Sequence, residues 1–265
     1  MARHLGEELW NVARWAVGVA VALQAFSALA QGPQRRGAVQ PAAAIDPRAL
    51  DELLLKWERE SAKIRDMEAE FRRITYDPVF GGKEGEEGGK ELAYGKLLYL
   101  KPDKGIMEIT PHGEKKPSET WICTGLAVYE VKPKIQHVII HELPPEQQGQ
   151  NISEGPLPFI FGLNADKAKK RYQLTLLSDT PEEALLHVLP REKQDAQNFS
   201  EAYLLVDKKT FTVRAVRTVE PNRMTIDYIF DRTRTNSGLR PGQFGQPPFP
   251  PGWKVQRDRP AGARP

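Results

Sequence analysis

One cysteine in 265 residues, Cys123, excludes an internal disulfide. The fold must be held by its core alone, whichever compartment it occupies. Charge of one sign is equally scarce, since 38 basic and 35 acidic residues leave only +3. Even that excess sits at the ends. Residues 31–45 carry Arg35 and Arg36 uncompensated and 236–265 carry a net four positive charges, so the body, 46–235, is net −3. Such a body lacks the clustered positive surface that phosphate neutralisation requires, and no nucleic-acid partner is expected. Nucleophile-elbow, zincin, dithiol and Rossmann glycine patterns are missing, and Gly89-Lys90 fails as a phosphate loop because Glu91 follows. No enzymatic role, catalytic residue or cofactor is expected. With 40% hydrophobic residues and a mean hydropathy of -0.53, the chain is neither disordered throughout nor a polytopic membrane protein.

The ends read as accessory segments. Arg3 and Arg14 precede an apolar stretch, 15–30, that closes on Ala28-Leu29-Ala30, the pattern of an export signal cleaved after Ala30. Gln24 and Ser27 interrupt it, whereas a membrane span wants about 20 apolar residues. The expected location is the periplasm or the cell exterior. Gln31, not a cysteine, stands directly after the cleavage site, so the processed N-terminus is not expected to carry the lipid of a bacterial lipoprotein. Residues 31–45 lack periodicity and read as a linker. With 7 prolines and a basic balance, 236–265 reads as a tail that could touch an anionic membrane.

Between them, 46–235 reads as one mainly β domain. Asp46-Pro47 opens a helix whose Leu50, Leu53, Leu54 and Trp57 share one face, running to about Lys63. Strands are expected at 66–76, 91–100, 104–110, 118–124, 126–132, 135–142, 171–178, 184–190, 199–206, 211–220 and 223–234. Residues 81–89 form a polar hairpin loop, and 144–170 is an excursion holding an apolar run at 157–163 and a short helix at 164–170. Short connections demand antiparallel neighbours, hence one large sheet. Several strands, such as 96–100 and 174–177, are apolar on both faces. One helix and one excursion can cover so many strands only if the sheet curls, so an α+β, half-open barrel capped by the N-terminal helix and a short helical lid is expected. A filled core is the alternative on the same pattern.

The order of segments resembles the LolA-like superfamily of periplasmic lipoprotein carriers and related lipid-binding envelope proteins. The pieces are the helix and strand at 50–75, the turn Leu97-Leu98-Tyr99-Leu100-Lys101-Pro102, the hairpin at 121–133 around Thr124-Gly125, the lid-like 155–162, the segment 187–190 and the hairpin 203–219. Phe249-Pro250-Pro251-Gly252-Trp253 is similar to the family's C-terminal end. The linker and the Pro-rich tail fit an exported paralogue of planctomycete type. The resemblance implies a curled sheet and lid enclosing acyl chains of a lipid or lipoprotein, without catalysis; a monomer with an envelope protein as a further partner is expected. An arginine before the turn proline serves the carriers as a latch; Lys101 occupies that place, and Thr124 replaces the usual aspartate of the hairpin. Enclosing about 14 carbons at ~0.8 kcal/mol per methylene would yield gross stabilisation on the order of 10 kcal/mol. The expected lining is Leu54, Trp57, Tyr99, Met107, Trp121, Tyr129, Phe159, Phe161 and Tyr228, each of which reads equally well as core packing.

No metal is expected. His137 and His141 lie four residues apart along a strand, about 13 Å, too far to share one ion. Cys123, in an apolar strand, reads as an inert buried thiol. An envelope structural or protein-interaction module with the same fold and a filled interior is the alternative role.

Overall fold

A computed structural model describes residues 47–78, 90–145, 148–149, 159–160 and 164–258. The export signal, the linker and the 81–89 loop lie outside the described residues. Helix α1 (Pro47–Ala62) is followed by β1 (Asp66–Tyr76), β2 (Lys90–Leu100), β3 (Lys104–Pro111), β4 (Glu119–Cys123), β5 (Ala127–Lys132) and β6 (His137–Glu142). After the excursion come α2 (Ala165–Arg171), β7 (Tyr172–Asp179), β8 (Glu183–Pro190), a single turn α3 (Lys193–Ala196), β9 (Glu201–Asp207), β10 (Val213–Val219), β11 (Thr225–Thr235) and β12 (Lys254–Asp258).

All twelve strands among the described residues form one sheet, ordered β12-β6-β5-β4-β3-β2-β1-β11-β10-β9-β8-β7. Its outer strands do not meet, so it stays open. Laid flat, β3 to β7 would span roughly 34 Å. Yet side chains from all eight of those strands join α1 in one apolar cluster, and α1 itself reaches β7. The sheet therefore curls around the helix, as expected from strands apolar on both faces.

Strand register fixes the two faces, because directly paired residues point the same way. Leu97 pairs with Ala69 and Met107, and Met107 with Trp121. From Ala69 to Met107 that row, with Tyr99, Phe71, Tyr228, Val216, Leu204 and Leu186, faces the helix. Gly95 lies opposite Phe71, whose ring would stand only 2.0 Å from any added Cβ. A glycine is required there because the ring lies across the strand.

Helix α1 buries Leu53, Leu54, Trp57 and Ser61 along one face, while Leu55 stays exposed. Polar clips hold it in place. Glu58 accepts from Asn164 Nδ2 at 2.7 Å and from the Ala165 amide at 3.2 Å, and Lys169 pairs with Asp51 at 2.6 Å. These fasten α1 to α2, whose own start is capped by Asn164 accepting from the Lys167 amide.

One expectation is corrected. The stretch from residue 236 is not a detached tail, since its described part, through 258, buries Phe244 and ends in β12. That strand pairs in parallel with β6, the one departure from antiparallel order among the described strands. Phe249 and Trp253 pack on Ala127, Tyr129, Val138 and Ile140 on the outer, convex face. Prolines broke the local strand signal, and only the tertiary apolar patch recruits the segment.

Candidate functional site

The interior of the curl gathers most of the expected lining. Leu54 and Trp57 come from α1 and Tyr99 from β2, with exposures of 0%, 1% and 1%. Burial pushes the Tyr99 hydroxyl above its ordinary pKa, with the Asp103 carboxylate adding to the effect. Tyr228, on β11, tilts against Phe71 with ring centroids 5.7 Å apart. Phe159 is buried and tilts against Tyr172 at 5.0 Å, so this part of the excursion closes over the β7 edge of the interior. Met107 is partly buried against the same cluster. Phe161 lies outside the described residues.

The two remaining candidates separate. Trp121 shares the concave face with Met107 but lies away from α1, half-buried and stacked on His141 at 6.3 Å and 10°. Tyr129 pairs with Ile122, one residue on from Trp121, and therefore points to the convex face. There it meets Phe249 at 6.2 Å and its hydroxyl reaches Gln246 at 3.3 Å. Tyr129 accordingly cannot line the same interior as Trp57 or Tyr99. Its aromatic character made it a candidate; strand parity, which depends on register, excludes it.

Lys101 closes the base of the helix. Its ammonium donates to the carbonyls of Ser61 at 2.8 Å and Ala62 at 3.2 Å, two of the acceptors that a helix C-terminus leaves unpaired. The favourable end of the helix dipole adds to this. Burial lowers the ammonium pKa, so desolvation opposes part of the gain. This lysine therefore fastens α1 to the β2–β3 turn. In the neighbouring hairpin, Thr124 Oγ1 accepts from the amides of Leu126 and Ala127, the role expected of an aspartate there. The tight turn needs Gly125 at φ +90, with Asp103 packed against it.

Cys123 is buried, donates to the Asp103 carbonyl at 3.1 Å, and has its thiol pKa raised by burial. Burial therefore keeps it protonated and unreactive. His141 lies 3.7 Å from Glu130 and 3.4 Å from Asp258, with Lys132 also on Glu130 at 2.6 Å. Among the described residues no three ligating side chains converge in metal-site geometry.

Sequence reasoning missed two features. Arg217 and Asp227 form a two-pronged ion pair at 2.7 and 2.8 Å, buried on the convex face. Arg73 points into the concave interior between Ala93 and Tyr228. Each was visible as a charge in the sequence, but only register shows which face of the sheet it occupies.

Among the described residues no helix is long and apolar enough to cross a membrane. No family model matches the chain, and neither does any curated protein. Solved structures are similar in fold. They include an uncharacterized conserved protein of Thermus thermophilus, 12% identical, covering 79% of this chain and 99% of that one, with a TM-score of 0.47. A putative outer membrane lipoprotein-sorting protein domain of Vibrio parahaemolyticus is 10% identical over 74% of this chain and 97% of its own, with a TM-score of 0.39. A LolA superfamily protein of Nitrosomonas europaea has the same four values.

Proposed function

We propose that the protein is an exported, non-catalytic, monomeric binder of acyl chains, carried by a free lipid or a lipid-modified envelope protein. One observation supports this above others: a wide apolar interior is roofed by a helix and by Phe159 and Ile160, not by strands. A strand roof could open only by breaking a ladder of backbone hydrogen bonds. A helix held by Lys101, Glu58 and Asp51 can shift by exchanging a few polar contacts with water, with an incoming acyl chain replacing the apolar cover of Leu53, Leu54 and Trp57. Apolar burial is then the whole source of affinity, and no reactive group is needed.

The filled-interior alternative, a structural or protein-interaction module, is favoured by the tight burial of Leu54, Trp57 and Tyr99 against one another's neighbours. Mass spectrometry of organic extracts from the processed protein, with displacement of a fluorescent fatty acid, separates the two. A co-purifying lipid and saturable displacement are expected. Absence of both would leave the module.

A further inference from the structure

Arg73 is the concave interior's unexplained charge. It stands on β1 beside Phe71, with Ala93 and Tyr228 as its cross-strand partners, both buried in the apolar cluster. Its Nε is buried and has no hydrogen-bond partner among the described residues. Its nearest carboxylate, Glu119, lies 3.9 Å from Nη1, beyond hydrogen-bond distance. The other oxygen of Glu119 accepts from Trp121 Nε1. Burial raises the Tyr228 hydroxyl pKa, and the Arg73 charge acts on it in the opposite sense. A guanidinium offers five donors in a planar fork, and a buried donor left unmade is costly. This one has a loosely held counter-charge on one side and a covered, unpaired Nε on the other, at the border between the apolar interior and the half-buried surface around Trp121.

We infer that Arg73 anchors the acid group of an acyl ligand, a carboxylate or a phosphate, which matches the fork at Nε on the edge of the guanidinium away from Glu119. The inference rests on the acyl-binding reading above and adds to it a headgroup class and an orientation: the acid at Arg73, the chain toward the apolar cluster. Glu119 is the gate on this contact, because its charge competes for the same guanidinium.

The test is displacement of a fluorescent fatty acid by oleate, oleoyl lysophosphatidic acid and oleyl alcohol. At least one anion is expected to compete about tenfold better than the alcohol, the weight of a charge-assisted hydrogen bond. Preference for oleate or for the phosphate identifies the source of the anion. Arg73→Gln should erase the advantage of the anions over the alcohol, while Glu119→Gln should widen it. Equal competition by alcohol and anions in the unmodified protein overturns the inference while leaving acyl binding intact. So does a Glu119→Gln variant with unchanged preference, which serves if Arg73→Gln does not fold. Binding of none of the three removes both readings.

Discussion

The concave and convex faces of this sheet solve the same burial problem by different means. On the concave face a helix covers β1–β3 and β7–β11, so water is removed from a wide area and the strands can present Leu97, Tyr99, Val216, Leu204 and Leu186 without polar relief. The convex face has no helix among the described residues. Across β8 to β11 it carries a polar row in register: His187, Tyr203, Arg217 and Asp227. His187 stacks on Tyr203 at 4.7 Å, and Glu201 takes hydrogen bonds from both. Burial and that carboxylate push the Tyr203 hydroxyl up to about 12. At the far end, the convex face instead uses Phe249 and Trp253 as a local cover. A roof permits apolar burial; without one, long side chains must screen each other, and charges survive there only as pairs.

The sharpest way to break this comparison is to hollow the roofed side. Trp57→Ala should lower stability by about 4 kcal/mol, read by urea denaturation, because an indole buried in the curl leaves a cavity. A loss below about 1 kcal/mol would mean that α1 is not a fixed part of the interior. Next, Asp227→Ala strands a buried guanidinium and should cost about 3 kcal/mol, whereas Arg217→Met with Asp227→Leu should be near neutral. A double variant as unstable as the single one would show that the convex face needs the pair itself and not merely its compensation.

Smaller effects sharpen the picture at the edges. Trp253→Ala removes a half-buried anchor and should cost about 1–2 kcal/mol, with faster amide exchange in β6 as β12 detaches. Lys101→Met should lose about 0.5–1 kcal/mol by freeing the last carbonyls of α1, and exchange should rise at the end of that helix before anywhere else. Least of all, Arg232→Gln breaks an exposed pair with Glu70 at 3.4 Å and should move the melting midpoint hardly at all, within about 0.5 kcal/mol.

The first eleven strands were legible because turn residues and hydrophobic alternation are local signals. Residues 66–76 and Asp66–Tyr76 coincide, and the helix ends within one residue of its expected end. Leu54, Trp57, Tyr99, Phe159 and Tyr228 lie in the concave apolar cluster, with Met107 packed against it, because large apolar side chains go where the curl closes. Tyr129 failed because its face depends on a one-residue parity that only pairing defines. β12 was hidden because a proline-rich approach resembles a linker until a patch elsewhere in the chain gives it something to cover.

By itself, then, the sequence determined which segments form the first eleven strands, that one helix must lie against them, and that the fold has no disulfide to lean on. Those are consequences of short-range periodicity and composition. Tertiary structure decided which strand face each aromatic occupies, which charges meet, and that the C-terminal segment completes the sheet. Pairing between residues more than a hundred positions apart, as in Tyr228 beside Arg73, is settled by the joint burial of both partners, and neither segment encodes it alone.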